Sequence, residues 1–127
     1  MARRSRRTRH ETAQATVEFA LILPILFTVL WLGVESVLLV RDQTLVTHAA
    51  REAARAAAVG QPDDAVRKAA AERSGFAMGS LHVTVQLDDG VVVASVRLSE
   101  RGRLPLLGRL APQLEVQATV SMRREPG

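Results

Sequence analysis

The chain has 127 residues, of which 47% are hydrophobic but only 3% aromatic, and it contains no Tyr and no Cys. The lack of Cys excludes disulfides and thiolate metal sites, and His10, His48 and His82 stand too far apart for metal-ligand spacing. The net charge of +4 arises from residues 1–13, because the rest of the chain sums to zero.

The N-terminal segment, residues 1–13, is strongly basic. It contains five arginines and a single glutamate, Glu11. A basic tail can bind nucleic acid or anionic lipid. Beside a long apolar run, however, it is typical of a positive-inside topology signal. A nucleic-acid partner ranks far lower, because the segment has no aromatic residue and the remaining chain is neutral.

Residues 16–40 form an apolar run. Between Glu18 and Glu35 lie sixteen residues without a charge. A membrane-spanning helix needs about 20 apolar residues, whereas a cleavable signal has roughly 7–15. The run therefore predicts a retained transmembrane helix rather than a buried soluble helix, since so small a domain has little else to surround it. Pro24 is tolerated in such a helix, and Trp31 lies toward its outer end.

The helical pattern continues beyond the run, without Gly or Pro, as far as Val59. It is rich in alanine, which is a strong helix former. The i, i+3, i+4, i+7 spacing of Ala50, Ala53, Ala54 and Ala57 predicts one face of small residues that packs on another helix or on a sheet. Ala56 and Ala58 lie off that face, so we expect them to tolerate larger side chains better.

The C-terminal half predicts a small α+β domain. Gly60-Gln61-Pro62 ends the long helix, and Asp63 is a candidate N-cap for a short second helix through about Arg73. Three strands with alternating apolar and polar residues follow, at 81–87, 92–98 and 114–123, and Asp88-Asp89-Gly90 indicates a hairpin between the first two. The apolar, turn-rich stretch at 104–110 either packs under the sheet or touches the membrane surface.

These elements give an α+β fold: a single N-terminal transmembrane helix extended as a long helix, then a short helix and a three-stranded antiparallel sheet. The predicted organisation is a basic cytoplasmic leader at 1–13, a transmembrane helix at 14–40, an extracytoplasmic extension at 41–60 and a small domain at 61–127. The sequence shows no catalytic constellation, so we expect no enzyme, no cofactor, no metal and no small-molecule substrate.

Two glutamates border the apolar run. A carboxylate at membrane depth is costly and is usually paired or functional, so Glu18 either serves a function or sits in the headgroup region. Glu35 has the same ambiguity, although its place near Trp31 and Arg41 favours the outer interface.

The segment Gln14-Ala15-Thr16-Val17-Glu18-Phe19, placed between a basic leader and a Pro-containing apolar helix, resembles the TadE-like family. The segment from Ala49 to Arg55 is similar to a second motif of that family, with Ala53 in the place of a glycine. These proteins resemble small pseudopilins of the tight-adherence (Flp, type IVb) pilus system, so the resemblance implies a pilin-like fold and a structural role in pilus assembly.

The resemblance also implies particular site residues and partners. A prepilin peptidase would cut between Ala13 and Gln14 at the cytoplasmic face, where the family usually has Gly in place of Ala13. Glu18 would then be the fifth residue of the mature chain, beside Phe19, and would pair with the N-terminal amine of a neighbouring subunit. The implied partners are membrane lipid, the peptidase and other proteins of the pilus system. The alternative is a plain single-pass membrane anchor whose accessory domain binds an extracytoplasmic partner.

Overall fold

The computed structural model describes residues 4–99, 104–112 and 115–124, with side chains from Gln14 onward. The chain divides into two compact units, and the boundary falls between Glu35 and Ser36.

A single helix, α1 (Arg4–Ala58), contains 55 residues. Its apolar and alanine-rich sequence explains this length, because no Gly or Pro other than Pro24 and Gly33 interrupts it. Near the proline, the Thr28 hydroxyl donates a hydrogen bond of 2.8 Å to the Pro24 carbonyl oxygen. The prediction that the apolar helix continues as one long helix is confirmed.

The second helix, α2 (Asp63–Ser74), is short and ends as expected from Ser74-Gly75. Gly75 adopts the left-handed conformation with φ of 73°, and its N–H donates to the Ala71 carbonyl at 2.9 Å. The prediction of Asp63 as N-cap is wrong by one residue. Pro62 takes the cap position in extended conformation, and Asp63 is the first helical residue, where its charge favours the helix dipole.

The three strands are β1 (Leu81–Asp88), β2 (Val91–Leu98) and β3 (Val116–Arg123), and a short 3-10 helix at Met78–Ser80 precedes β1. They pair antiparallel in the order β1-β2-β3. The two-residue loop between β1 and β2 has positive φ at both positions, 44° at Asp89 and 79° at Gly90. These values match the hairpin turn that the sequence predicted.

The core of the second unit is built mainly from small side chains. It combines the C-terminal part of α1 with one face of α2 and the apolar face of the sheet. Val46, Val66 and Val96 are its largest members among those at most 1% exposed. Alanines supply much of the rest, and their small side chains let the helices and the sheet approach closely. The predicted α+β class is confirmed.

The alanine positions on α1 differ in part from the predicted pattern. Ala50, Ala53 and Ala54 are fully buried and Ala57 is partly buried. Ala56 and Ala58, expected to lie off the packed face, are also buried, at 5% and 6% exposure, so that expectation is wrong. The buried arc of the helix is wider than one stripe, because the core surrounding α1 includes residues of both α2 and the sheet.

The stretch at 104–112 contains one helical turn, α3 (Leu107–Leu110). Its described side chains are partly buried or exposed, and Leu110 is 72% exposed. No residue of this stretch belongs to the core described above.

A candidate assembly site on the apolar helix

The apolar part of α1 exposes large hydrophobic side chains on all sides. Phe19, Ile25, Leu30 and Val37 are each more than 60% exposed, as are several of their neighbours. Among the described residues, one helix is long and apolar enough to cross a membrane. Its most apolar stretch is not buried by the rest of the protein. Such exposure is unfavourable in water, so the helix fits a single-pass membrane anchor.

Glu18 lies near the start of this surface. The Gln14 Nε2 atom donates a hydrogen bond of 3.1 Å to Glu18 Oε1, one helical turn away. Gln14 is neutral, so this contact orients the carboxylate without compensating its charge. A carboxylate can accept about four hydrogen bonds, which leaves room for a cationic partner.

Phe19 and the predicted processing pair lie on the same helix as Glu18. Phe19 is exposed on α1 next to it. Ala13 and Gln14, the predicted processing pair, both lie within α1 as well. The structure therefore sets Gln14, Glu18 and Phe19 within about one and a half turns of the same helix.

Glu35, at the other end of the charge-free run, is in a different environment. It is 2% exposed, and the Trp31 Nε1 atom donates a hydrogen bond of 2.7 Å to its Oε1 atom. A carboxylate removed from water is stabilised by such a donor. Sequence reasoning did not find this pair, although the i, i+4 spacing of Trp31 and Glu35 was visible.

Asp42 is a second buried carboxylate, at 5% exposure. It follows Arg41 directly in the sequence. The helix exposes Arg41 and buries Asp42, so the two adjacent side chains lie in different surroundings.

The alanines predicted to pack lie inside the core of their own chain. Ala50, Ala53 and Ala54 belong to one cluster with Val96 and Ala94 of β2. Their packing is therefore intramolecular, and they are not surface for another subunit.

The described part of the chain shows no group of three or more His, Asp or Glu residues that could hold a metal ion. His82 is exposed on β1, and His48 is partly buried on α1. The features that stand out on this helix are thus an exposed apolar surface and two carboxylates with hydrogen-bond donors one turn before them.

Comparison with known proteins identifies a similarity over this helix. Residues 13–55, about a third of the chain, match the model of a family described as TadE-like protein. The matched segment includes Gln14, Glu18 and Phe19, and it extends through the buried alanines as far as Ala54. The resemblance inferred from the sequence is thereby confirmed. No curated protein and no solved structure matches the chain.

Proposed function

We propose that this chain is a minor pseudopilin of a tight-adherence (Flp, type IVb) pilus or a related secretion system, with a structural role in assembly and no catalytic one. The family match supports a component associated with the Tad pilus. The long apolar helix supports a membrane-anchored form of it.

The observation that carries the proposal is the position of Glu18. It lies at the start of an exposed apolar helix, with Gln14 one turn before it as hydrogen-bond donor. A charged carboxylate costs about 2.5–3.5 kcal/mol at the centre of a membrane and less near the edge. A helix selected only to anchor the protein would be better served by leucine, so the carboxylate has another purpose.

That purpose, in our proposal, is to pair with the amine freed at Gln14 of a neighbouring subunit after cleavage next to Ala13. Opposite charges in an apolar bundle offset each other's desolvation cost. Within one chain, residues 14 and 18 are separated by a rise of only about 6 Å. The amine can therefore reach its own carboxylate, and a neighbouring subunit has to compete with that contact.

The proposed location is the inner membrane, with the N-terminus cytoplasmic and the second unit extracytoplasmic. The basic residues before the apolar run support this orientation, because cytoplasmic flanks carry an excess of Lys and Arg. The proposed partners are membrane lipid, a prepilin peptidase and other pilus-system proteins.

A second candidate is a plain membrane-anchored accessory protein. The polar face of the sheet favours it, because that face presents an ordered set of exposed polar groups to solvent. Arg97 bridges to Glu115 at 3.4 Å and donates to Gln117 Oε1 at 3.3 Å, while the Ser95 and Thr119 hydroxyls lie 3.0 Å apart. A partner outside the membrane could bind there without any role for Glu18.

Variants of Glu18 separate the two candidates. We expect Glu18→Leu to insert into the membrane at least as well as the parent chain but to reduce pilus formation or secretion. Glu18→Gln keeps the size and loses the charge, so it should be as defective as Glu18→Leu. Glu18→Asp keeps the charge with a shorter reach and should be intermediate.

The measurements are membrane fractionation and a pilus or secretion assay on the same strains. Val17→Leu, at the adjacent exposed position, is the matched control and should behave like the parent chain. Normal pilus function with Glu18→Leu would favour the accessory-protein candidate.

A further inference from the structure

The end of the sheet at which β2 ends and β3 begins is held beside α1. Leu98, the last residue of β2, pairs with Val116, the first residue of β3. The Gln43 side chain of α1 donates a hydrogen bond of 2.9 Å to the carbonyl of the next residue of β3, Gln117. Gln43 follows Val40, the last residue of the apolar run, by a rise of about 4.5 Å. This end of the sheet therefore contacts α1 less than one helical turn after the apolar run.

The second unit also packs against the apolar run itself. Residues 36–40 of the run belong to this unit. Leu39 is partly buried against the core, whereas Val37 and Val40, on other sides of the same helix, are 70% and 67% exposed. Because the anchor proposed above includes this run, the second unit meets the membrane surface at this point.

The connection between β2 and β3 extends beyond this end of the sheet. None of the residues 104–112 belongs to the core under the apolar face of the sheet. The connection does not cover the polar face either, because Thr84, Arg97 and Thr119 are exposed there. The core members of α1 lie after Gln43, from Val46 onward, so the helix packs on the sheet in that direction. The space beyond the end of the sheet therefore lies toward the apolar run.

This connection combines apolar and basic side chains. Four of the seven residues at 104–110 are leucine, and Leu110 is 72% exposed. Pro105 and Arg109 are exposed as well, and so is Arg41, the first residue of α1 after the apolar run. Such a combination suits the lipid–water interface, where apolar side chains enter the acyl boundary and guanidinium groups meet lipid phosphates.

We propose that residues 104–110 lie in the lipid–water interface at which α1 leaves the membrane, with Leu110 in the lipid and Arg109 and Arg41 against the phosphates. The proposal rests on the membrane anchor proposed above, and it does not depend on Glu18 or on a role in a pilus. Lipid is favoured over another protein, because the connection lies next to the part of α1 whose exposed valines need lipid in any case.

Fluorescence quenching by lipid tests the proposal. The chain has no natural Cys, so the full-length variants Leu110→Cys and Val59→Cys each carry a single thiol, which is labelled with bimane. The labelled chains are placed in vesicles of phosphatidylethanolamine and phosphatidylglycerol, in which part of the lipid carries a nitroxide near the headgroup end of its acyl chain. Val59 is the matched control, because it is apolar and 57% exposed but follows Val40 by a rise of about 28 Å.

We expect at least about three-fold more quenching at position 110 than at position 59, because an interfacial segment sinks about 5–10 Å into the headgroup and acyl boundary. Quenching of Trp31 in the unlabelled chain reports the anchor separately. Equal quenching at 110 and 59, with Trp31 quenched, would overturn this proposal and leave the anchor standing. An unquenched Trp31 would overturn the anchor and this proposal with it. A label at 110 with blue-shifted emission but no quenching would mean burial by a neighbouring copy and would also overturn it.

Charge reversal provides a second readout in the labelled Leu110→Cys chain. Arg109→Glu should lower the ratio of quenched to unquenched label about five-fold, the effect of one basic residue near an anionic surface. High salt should reduce this difference, and Arg109→Lys should keep the quenching of the parent chain. Arg51→Glu, at an exposed position further along α1, is the control and should change nothing. Circular dichroism checks that each variant is folded, and equal effects of Arg109→Glu and Arg51→Glu would contradict the contact with phosphates.

Discussion

The Trp31 indole N–H donates to the Glu35 carboxylate at 2.7 Å, and the two residues differ sharply in exposure. Glu35 is 2% exposed, whereas Trp31 is 55% exposed. The larger side chain therefore stays at the surface while its nitrogen reaches the buried oxygen one turn further along the helix. This arrangement suits an aromatic residue at a membrane interface, which is apolar over its body and polar at one atom.

The Trp31–Glu35 pair can be followed by fluorescence, because Trp31 is the single tryptophan. A negative charge beside the indole nitrogen favours longer-wavelength emission. We expect Glu35→Leu to shift the emission maximum to shorter wavelength and Glu35→Gln, which keeps an acceptor oxygen, to shift it less. Glu18→Gln is the control and should leave the emission unchanged. Identical spectra for all three variants would show that the hydrogen bond does not form.

Processing at the predicted site can be read from the mass of the mature chain. If a prepilin peptidase acts here, the mature protein begins at Gln14. Ala13→Gly should increase the cleaved fraction, because glycine destabilises a helix interior by about 1 kcal/mol relative to alanine and so makes the bond easier to open. It also restores the residue usual in the family.

The control for processing is Ala15→Gly, which loosens the helix equally but lies after the cut. An equal increase with Ala15→Gly would mean that helix opening alone limits cleavage. A chain that keeps its leader in a strain with an active Tad system would argue against processing altogether.

The tight alanine packing of α1 predicts a graded response to larger side chains. Ala53 is fully buried, so Ala53→Leu should destabilise the second unit by about 1–3 kcal/mol through overpacking. Ala56→Leu and Ala58→Leu should also destabilise it, contrary to the expectation from the sequence pattern. Arg51→Leu, at an exposed position of the same helix, is the control and should change stability little.

These stability changes are measured by thermal unfolding in detergent, followed by circular dichroism. If Ala53→Leu, Ala56→Leu and Ala58→Leu all unfold at the melting temperature of the parent chain, the core accommodates larger side chains without loss of stability. Destabilisation by Arg51→Leu of the same size would assign the effect to the helix rather than to the core.

The predicted topology is tested by reporters fused after Gly127. The basic leader should hold the N-terminus in the cytoplasm, so an alkaline phosphatase fusion should be active and a cytoplasmic reporter fusion silent. Replacing the five arginines before Glu11 by glutamine should lower the fraction of chains in this orientation. Activity of the cytoplasmic reporter alone would overturn the proposed orientation.

Much of the fold could be predicted because its signals are local. The hairpin follows from Asp89-Gly90, where the turn needs positive φ at two adjacent residues. The end of α2 follows from Gly75 for the same physical reason. The length of α1 follows from the absence of breakers after Pro24, apart from Gly33.

What could not be predicted depends on contacts between distant parts of the chain. The pattern of α1 shows which alanines share a stripe, but not that the core is wide enough to cover Ala56 and Ala58 as well. The burial of Glu35 and Asp42 could not be predicted either, because the sequence of a helix does not show whether a carboxylate is exposed to water or buried by distant parts of the chain. The end of the sheet that lies beside α1 likewise depends on the contact between Gln43 and Gln117, which are 74 residues apart.

The long helix combines an apolar segment that fits a membrane anchor with a part of the folded core, because Val46, Ala50 and Ala53 of α1 belong to the core of the second unit. Proteolysis at Gly60, where the helix ends, would leave these residues behind and release an unfolded fragment. Shedding of an intact domain would instead need a cut near Ser36, where the second unit begins. A folded domain can therefore leave the apolar helix only together with the C-terminal part of α1.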